Sequence, residues 1–186
     1  MADSSITKKA LASALKELLA TAPLSKISIG DICNRCEMNR KSFYYHFKDK
    51  EDLVNWIFDV EFHEHISGKE HMSSWDAIEA LTYYFYENRS FYRKVLKYEG
   101  QNSFSEHLSR RFADLLSERL KDIPEPHEIK ELQIMFISDG VICGLKRWLM
   151  SAECPPPRDF IGELKPCVYQ MSKHICETIE REKDRY

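Results

Sequence analysis

Helical spacing in this chain is interrupted very little, and that limits its fold more than any other feature. Only six glycines and seven prolines stand in 186 residues, and three of the prolines form the single run Pro155 to Pro157. These two residue types are the strongest breakers of regular structure, so their scarcity leaves long stretches where apolar side chains recur at three- and four-residue steps. Ala10, Leu11, Ala14, Leu15, Leu18 and Leu19 form one such stripe between Thr7 and Leu19, and Pro23 closes it. With 43% hydrophobic residues the chain can bury a sizeable core. The expected fold is all-α, with about nine helices.

Local signals place the boundaries. Ser28 followed by Asp31 is an N-cap pattern related to the capping box, and it opens a two-turn helix carrying Ile29, Ile32 and Cys33 inward. Asn39 can accept from an amide near Ser42 and start a third helix with Phe43, Tyr44 and Phe47. Asp49 caps a fourth, predicted from Lys50 past Leu53, Val54, Ile57 and Phe58 to about Ile66. Further helices are expected over Trp75 to Asn88, Phe91 to Tyr98, Phe104 to Leu120, His127 to Met150 and Arg158 to Glu182.

Net charge is -3 overall, but it is unevenly distributed. Residues 1–50 hold nine Lys/Arg against five Asp/Glu, net +4, and residues 51–186 hold eighteen against twenty-five, net -7. A basic head on an acidic body suits a DNA-facing module joined to a domain that must not adhere to phosphate. No stretch approaches the roughly 18 uncharged apolar residues of a membrane span, so no membrane partner and a cytoplasmic location are expected. The six cysteines (33, 36, 143, 154, 167, 176) are read mostly as small core hydrophobes. Cys33 and Cys36, even with His63, Glu64, His65 and His71, lack a second matched ligand pair, so no metal site is assigned. No nucleophile–base spacing, phosphate loop or paired-carboxylate motif stands out; the expectation is no enzyme and no cofactor.

Two short helices joined by a tight turn, Ser28 to Arg35 and Asn39 to Phe47, have the dimensions of a helix-turn-helix. The second concentrates hydrogen-bonding side chains where a recognition helix meets base edges. Arg40 can donate in bidentate fashion to guanine O6 and N7. Lys41 can reach a guanine edge or a phosphate, and Ser42 can sit against either. Tyr44 and Tyr45 bond phosphates, meet thymine methyls, or pack inward in one case; His46 follows them. Lys50 adds charge to the start of the fourth helix and Ser28 holds the equivalent place on the second, where free amides favour a phosphate.

The block Ser28-Ile29-Gly30-Asp31-Ile32 through Asn39-Arg40-Lys41-Ser42-Phe43-Tyr44-Tyr45-His46-Phe47-Lys48-Asp49-Lys50-Glu51-Asp52-Leu53 closely resembles the signature of the TetR family of bacterial regulators. The resemblance covers about the first 55 residues and implies a three-helix DNA-binding domain, with double-stranded operator DNA as partner and Ser28, Asn39, Arg40, Lys41, Ser42, Tyr44, Tyr45, His46 and Lys50 at the interface. One position departs from it. The family usually has glycine in the turn where this chain has Glu37, so either the turn uses ordinary φ or Glu37 is strained, and its charge must point away from phosphates. Phe91 to Asn102 and Gly144-Leu145-Lys146-Arg147-Trp148-Leu149 look like the C-terminal domain of one subgroup, which is similar to activators of dihydroxyacetone kinase operons. In that subgroup's likeness the regulator works with a protein co-activator; for this chain the resemblance implies the domain type and leaves the inducer open.

The expected organisation is a DNA-binding head over residues 1–50 and an effector-binding and dimerisation body over 51–186. Trp75, Tyr83, Tyr86, Phe91, Tyr92 and Phe104 are the candidate effector pocket, although the run Tyr83 to Tyr86 cannot face one way on a helix. Phe136, Gly140, Gly144, Trp148, Val168, Met171 and Ile175 are the candidate homodimer interface, the two glycines allowing close helix approach. The function expected is a homodimeric operator-binding regulator controlled by a small ligand or a protein partner. The alternative is a helical interaction adaptor that has lost specific operator binding.

Overall fold

The computed structural model describes residues 2–67, 73–98, 103–120 and 131–183, and every regular element among them is helical. They are α1 (Ala2–Thr21), α2 (Ile29–Arg35), α3 (Arg40–His46), α4 (Lys50–Ile66), α5 (Ser74–Glu87), α6 (Arg89–Leu96), α7 (Phe104–Leu120), α8 (Glu131–Met150) and α9 (Pro157–Lys183). A 3-10 turn, Leu24–Lys26, joins α1 to α2. The limits of α4 and α7 coincide with those read from the sequence. Helix α1 begins earlier than its apolar stripe, because Ser4, Ser5 and Ile6 are exposed and contribute no periodic signal. His127, the expected start of the eighth helix, lies outside the described residues, as does His71. Pro166 stands inside α9, exposed, without breaking it.

Charge changes sign at residue 50; the core does not break there. One hydrophobic cluster runs from Leu11, Leu15 and Phe43 through Leu53, Val54, Ile57 and Phe58 of α4 to Phe85, Tyr92, Leu145 and Leu149. Helix α4 packs against α1 on one side and against α5 and α7 on the other. The ring of Phe58 lies 5.3 Å from both Phe62 and Phe104 and about 6 Å from Phe85 and Tyr84, so a single side chain joins α4, α5 and α7.

A polar chain crosses this aromatic core. The Tyr84 and Tyr92 hydroxyls are 2.7 Å apart, and Tyr84 Oη lies 3.2 Å from Glu61 Oε2. A carboxylate only accepts, so Tyr84 donates to Glu61 and Tyr92 in turn donates to Tyr84. Glu61 also pairs with Lys16 of α1. Burial holds both phenols protonated far above the ordinary tyrosine range. Replacing Tyr84 by Phe strands the Tyr92 hydroxyl without an acceptor and is expected to cost about 1–3 kcal/mol in urea unfolding, whereas Tyr92→Phe removes the end of the chain and costs about 0.5–1.5 kcal/mol.

Candidate nucleic-acid interface

Helices α2 and α3 are each seven residues long, too short to persist alone, and caps and burial hold them. At α2 the Ser28 hydroxyl accepts from Asp31 N at 3.1 Å, while an Asp31 carboxylate oxygen accepts from Ser28 N at 2.8 Å and from Ser28 Oγ at 2.7 Å. Those bonds to Ser28 hold the Asp31 carboxyl below the usual aspartate value, with a smaller contribution from Arg40. At α3, Asn39 Oδ1 accepts from Ser42 N at 2.8 Å and from Ser42 Oγ at 3.1 Å.

The connection between them answers the question raised by Glu37. Its φ is 55°, the left-handed region. Met38 N donates to Cys33 O at 2.9 Å and Glu37 N donates to Asn34 O at 3.4 Å. This pair of bonds makes a Schellman motif, with Glu37 in the position glycine favours. The turn therefore keeps glycine's geometry and bears the steric strain of a side chain there, about 1–2 kcal/mol.

Inside the angle so formed, Phe43 is fully buried with Ile32 and Cys33, and Phe47 packs 5.8 Å from Phe43 and 5.7 Å from Trp56. The opposite face of α3 is free. Arg40, Lys41, Tyr44 and Tyr45 lie on one exposed surface, Tyr44 58% and Tyr45 82% accessible, so neither tyrosine packs inward. Tyr44 stands edge-on to Phe43 at 5.7 Å and Tyr45 edge-on to His46 at 4.8 Å, which orients both rings. Ser42 and His46 are half-buried.

Other candidates have work within the fold. The Ser28 hydroxyl and the Asn39 carbonyl are engaged in caps. Lys50 Nζ donates to Leu24 O at 2.8 Å and Ile27 O at 3.0 Å and lies over the Tyr98 ring, which leaves one N–H uncommitted. Around it the start of α4 carries Asp49, Glu51 and Asp52, whose carboxylates already compensate the positive helix end. Lys50 is thus first a tie that holds the turn before α2. Gly30 was legible only as part of the resembling block. A Cβ there would stand 2.7 Å from Arg40 Nη2, so the bare backbone of Gly30 lets the guanidinium lie against α2.

In the body, three of the six aromatics read as an effector pocket meet, Phe91 lying 4.9 Å from Tyr92 and Tyr92 5.3 Å from Phe104, while Trp75, Tyr83 and Tyr86 lie apart from them. Tyr92 and Phe104 are buried core, Tyr83 is exposed, and Tyr86 stacks on Trp148. Trp75 lies beneath Lys165 and Phe91 beneath Lys16. A cavity of about 270 Å³ instead opens between α4, α5 and α7, walled by Phe58, Phe62, Leu81, Leu108 and Phe112, with Asp59 and Arg111 among its polar groups. Asp59 Oδ1 lies 3.0 Å from His107 Nε2 and 3.2 Å from Arg111 Nε. Sequence spacing could not find it, because the wall alternates among three helices far apart in the chain.

Of the expected dimer residues, Trp148 is 5% exposed, stacked on Phe160 at 4.8 Å, and donates from Nε1 to Pro155 O at 2.9 Å; it belongs to the protomer's own core. Val168 is half-buried. Phe136 is 79% exposed, and nothing lies within 4 Å of a Cβ built at Gly140 or Gly144. Leu132 and Met135 extend this uncovered apolar strip of α8, and Tyr169 of α9 is exposed as well. Met171 and Ile175 fall outside the described side chains. Cys33 is buried and Cys36 half-buried, both thiols pushed up by burial, and among the described residues no group of His, Cys, Asp and Glu is placed to hold a metal. No described helix is long and apolar enough to cross a membrane.

A capped two-helix angle carrying an exposed basic and tyrosine-bearing face, set on a larger helical body, defines a helix-turn-helix transcription regulator. Residues 11–57 match the model for bacterial regulatory proteins of the tetR family, and residues 73–170 match that of a transcriptional regulator C-terminal region. The chain belongs to the TetR family. It is 34% identical over 96 residues to the HTH-type dhaKLM operon transcriptional activator DhaS of Lactococcus lactis subsp. lactis (strain IL1403), a match spanning 51% of this chain and 51% of that relative. Its fold is similar to a solved dihydroxyacetone kinase operon activator DhaS (TM-score 0.58, 21% identity, 90% of this chain and 97% of that one). A TetR transcriptional regulator from Streptococcus agalactiae 2603V is also similar (TM-score 0.61, 20% identity, 87% and 92%).

The strained turn yields a direct test. Glu37→Gly is expected to stabilise the protein by about 0.5–1 kcal/mol, the relief of the left-handed backbone being partly offset by the freer unfolded chain. Urea unfolding reads this as a higher midpoint at unchanged slope; a lower midpoint would mean that the Glu37 side chain makes a stabilising interaction outweighing the strain.

Proposed function

We propose that this regulator binds a palindromic operator as a homodimer, with the Arg40, Lys41, Tyr44 and Tyr45 face of α3 in the major groove of each half-site. The observation that carries this is that four side chains able to bond bases and phosphates share the uncovered side of a helix whose other side is locked by Phe43. Arg40 suits bidentate recognition of guanine, Lys41 and the tyrosine hydroxyls suit phosphate or base edges, and Ser42 and His46 flank them. The Asn39 amide N–H groups and the remaining N–H of Lys50 are the donors left for the DNA backbone at the helix ends, since both Ser28 donors are held by Asp31.

The second copy is joined through α8 and α9. Phe136, Leu132 and Met135 are exposed among the described residues, and the small surfaces of Gly140 and Gly144 allow another helix to approach closely. Two-fold symmetry then sets two α3 helices on half-sites about 34–36 Å apart or a multiple of that. A small ligand in the α4–α5–α7 cavity, or a protein partner on the body, controls binding by favouring a different head spacing. The turn between α2 and α3 keeps both Schellman hydrogen bonds despite Glu37, which supports operator binding over the adaptor reading.

Gel shifts on duplexes selected by the protein from a random pool test the DNA reading. Arg40→Ala is expected to weaken the selected duplex by about 1–3 kcal/mol and relax preference at one position, while Lys41→Ala weakens all duplexes alike if its partner is a phosphate. Unaltered binding by both variants would remove α3 from the interface. For the dimer, Phe136→Glu places a charge in the contact and is expected to give a monomer by analytical ultracentrifugation with the helical circular dichroism retained. A variant that stays dimeric would move the interface elsewhere.

A further inference from the structure

The segment Phe91 to Tyr98 takes no part in the α3 face or in the exposed strip of α8, yet it ties distant parts of the molecule together. Lys94 Nζ donates to Leu19 O at 2.5 Å and to Ala20 O at 2.8 Å, in the last turn of α1. One residue earlier, Arg93 Nε donates to Leu149 O at 2.6 Å and Nη2 to Ser151 O at 2.7 Å, at the end of α8. The final carbonyls of a helix have no intrahelical partners and form its negative pole, so each cation is hydrogen-bonded and complementary to the field it meets. Local residues or water would suffice for a cap. These caps come from 74 and 56 positions away.

Successive helical residues point about 100° apart, which is why neighbours on one short helix can grip two different helices. Helix α6 itself cannot slide, because Tyr92, Val95 and Leu96 are buried. Just beyond it, the Tyr98 ring lies 5.4 Å from the Lys50 ammonium that holds the turn before α2. Helix α1 packs against both α2 and α3, so whatever fixes the end of α1 also fixes the DNA-facing surface.

We infer that Arg93 and Lys94 are positioning residues for DNA binding, making α6 a strut that locks the C-terminal end of α8 to that of α1. The inference rests on the symmetric-dimer reading above. If α8 joins the copies, the distance between the two α3 faces is set within each protomer by the shared α4 row and, beside it, by the path α8–Arg93–Lys94–α1. Breaking either tie loosens the angle of the head on the α4 row while leaving every proposed base-contacting side chain in place. The loss then falls on simultaneous engagement of two half-sites.

The duplex that the wild-type protein selects from a random pool is compared with a duplex keeping only one half of it. Lys94→Met removes the ammonium and keeps the apolar stem. It is expected to bind the full duplex about tenfold more weakly and the half duplex as the wild type does, with Lys94→Arg restoring the full-duplex affinity. Arg93→Met is expected to behave like Lys94→Met. The double variant is expected to lose no more than the worse single one, because two ties in series fail together. Equal losses on both duplexes, no loss on either, or additive losses would overturn the strut. Should Lys94→Met fail to fold by circular dichroism, Arg93→Lys, which keeps one of two carbonyl bonds, carries the same comparison under the same criteria. A wild-type protein that selects no duplex defeats the DNA reading and the strut with it, whereas a selected duplex that the variants bind normally defeats the strut alone.

Discussion

Leu53, Val54, Ile57 and Phe58 of α4 are buried from two sides, by the head on one and by the body on the other, and the two halves are a single folded unit for that reason. A head of one long and two seven-residue helices would have little core of its own; α2 and α3 are held by Leu11, Leu15 and α4 beneath them. Burying one such side chain is worth about 1.5–3 kcal/mol, so the shared row contributes a substantial part of the stability of both halves. The same sharing prevents the body from rearranging without α4 registering it.

Around that row, several charged side chains reach backbone carbonyls rather than one another. Lys50, Lys94 and Arg93 all end on carbonyls at helix termini or turns, and the Lys16–Glu61 pair closes the tyrosine chain. Such contacts bury little charge and have strict geometry, so they fix how the helices they join are oriented. The outer face of α3 stays exposed because the fold's own packing there uses Phe43, Phe47 and the N-cap, with Arg40 resting against Gly30.

The head was readable in advance to a degree the body was not. Capping signals at Ser28, Asn39 and Asp49 are local, acting over three residues, and each makes the hydrogen bond its spacing implies. The aromatic run Tyr83 to Tyr86 has no such local arbiter. Those four rings point around a helix, and their destinations, Tyr84 into the polar chain, Phe85 into the core, Tyr86 onto Trp148 and Tyr83 to the surface, depend on which other helix arrives at each side. Trp148, expected at a dimer interface, is covered by Phe160 and Pro155 of its own chain: an apolar residue on a long helix does not by itself reveal whether its cover comes from the same chain or from a second copy.

Residue order alone decides that the chain is helical, where the head's short helices begin, and which polar side chains crowd the start of α3, since these follow from spacing, caps and the rarity of breakers. Only the packed molecule decides that Glu37 adopts the left-handed turn, that Lys50 is turned inward to two carbonyls, and that the cavity opens among α4, α5 and α7. Each of these depends on groups tens of residues apart meeting at hydrogen-bond or van der Waals distance, or, for Glu37, on a turn that must close for both helices to reach one core. No interaction of three- or four-residue range encodes such meetings.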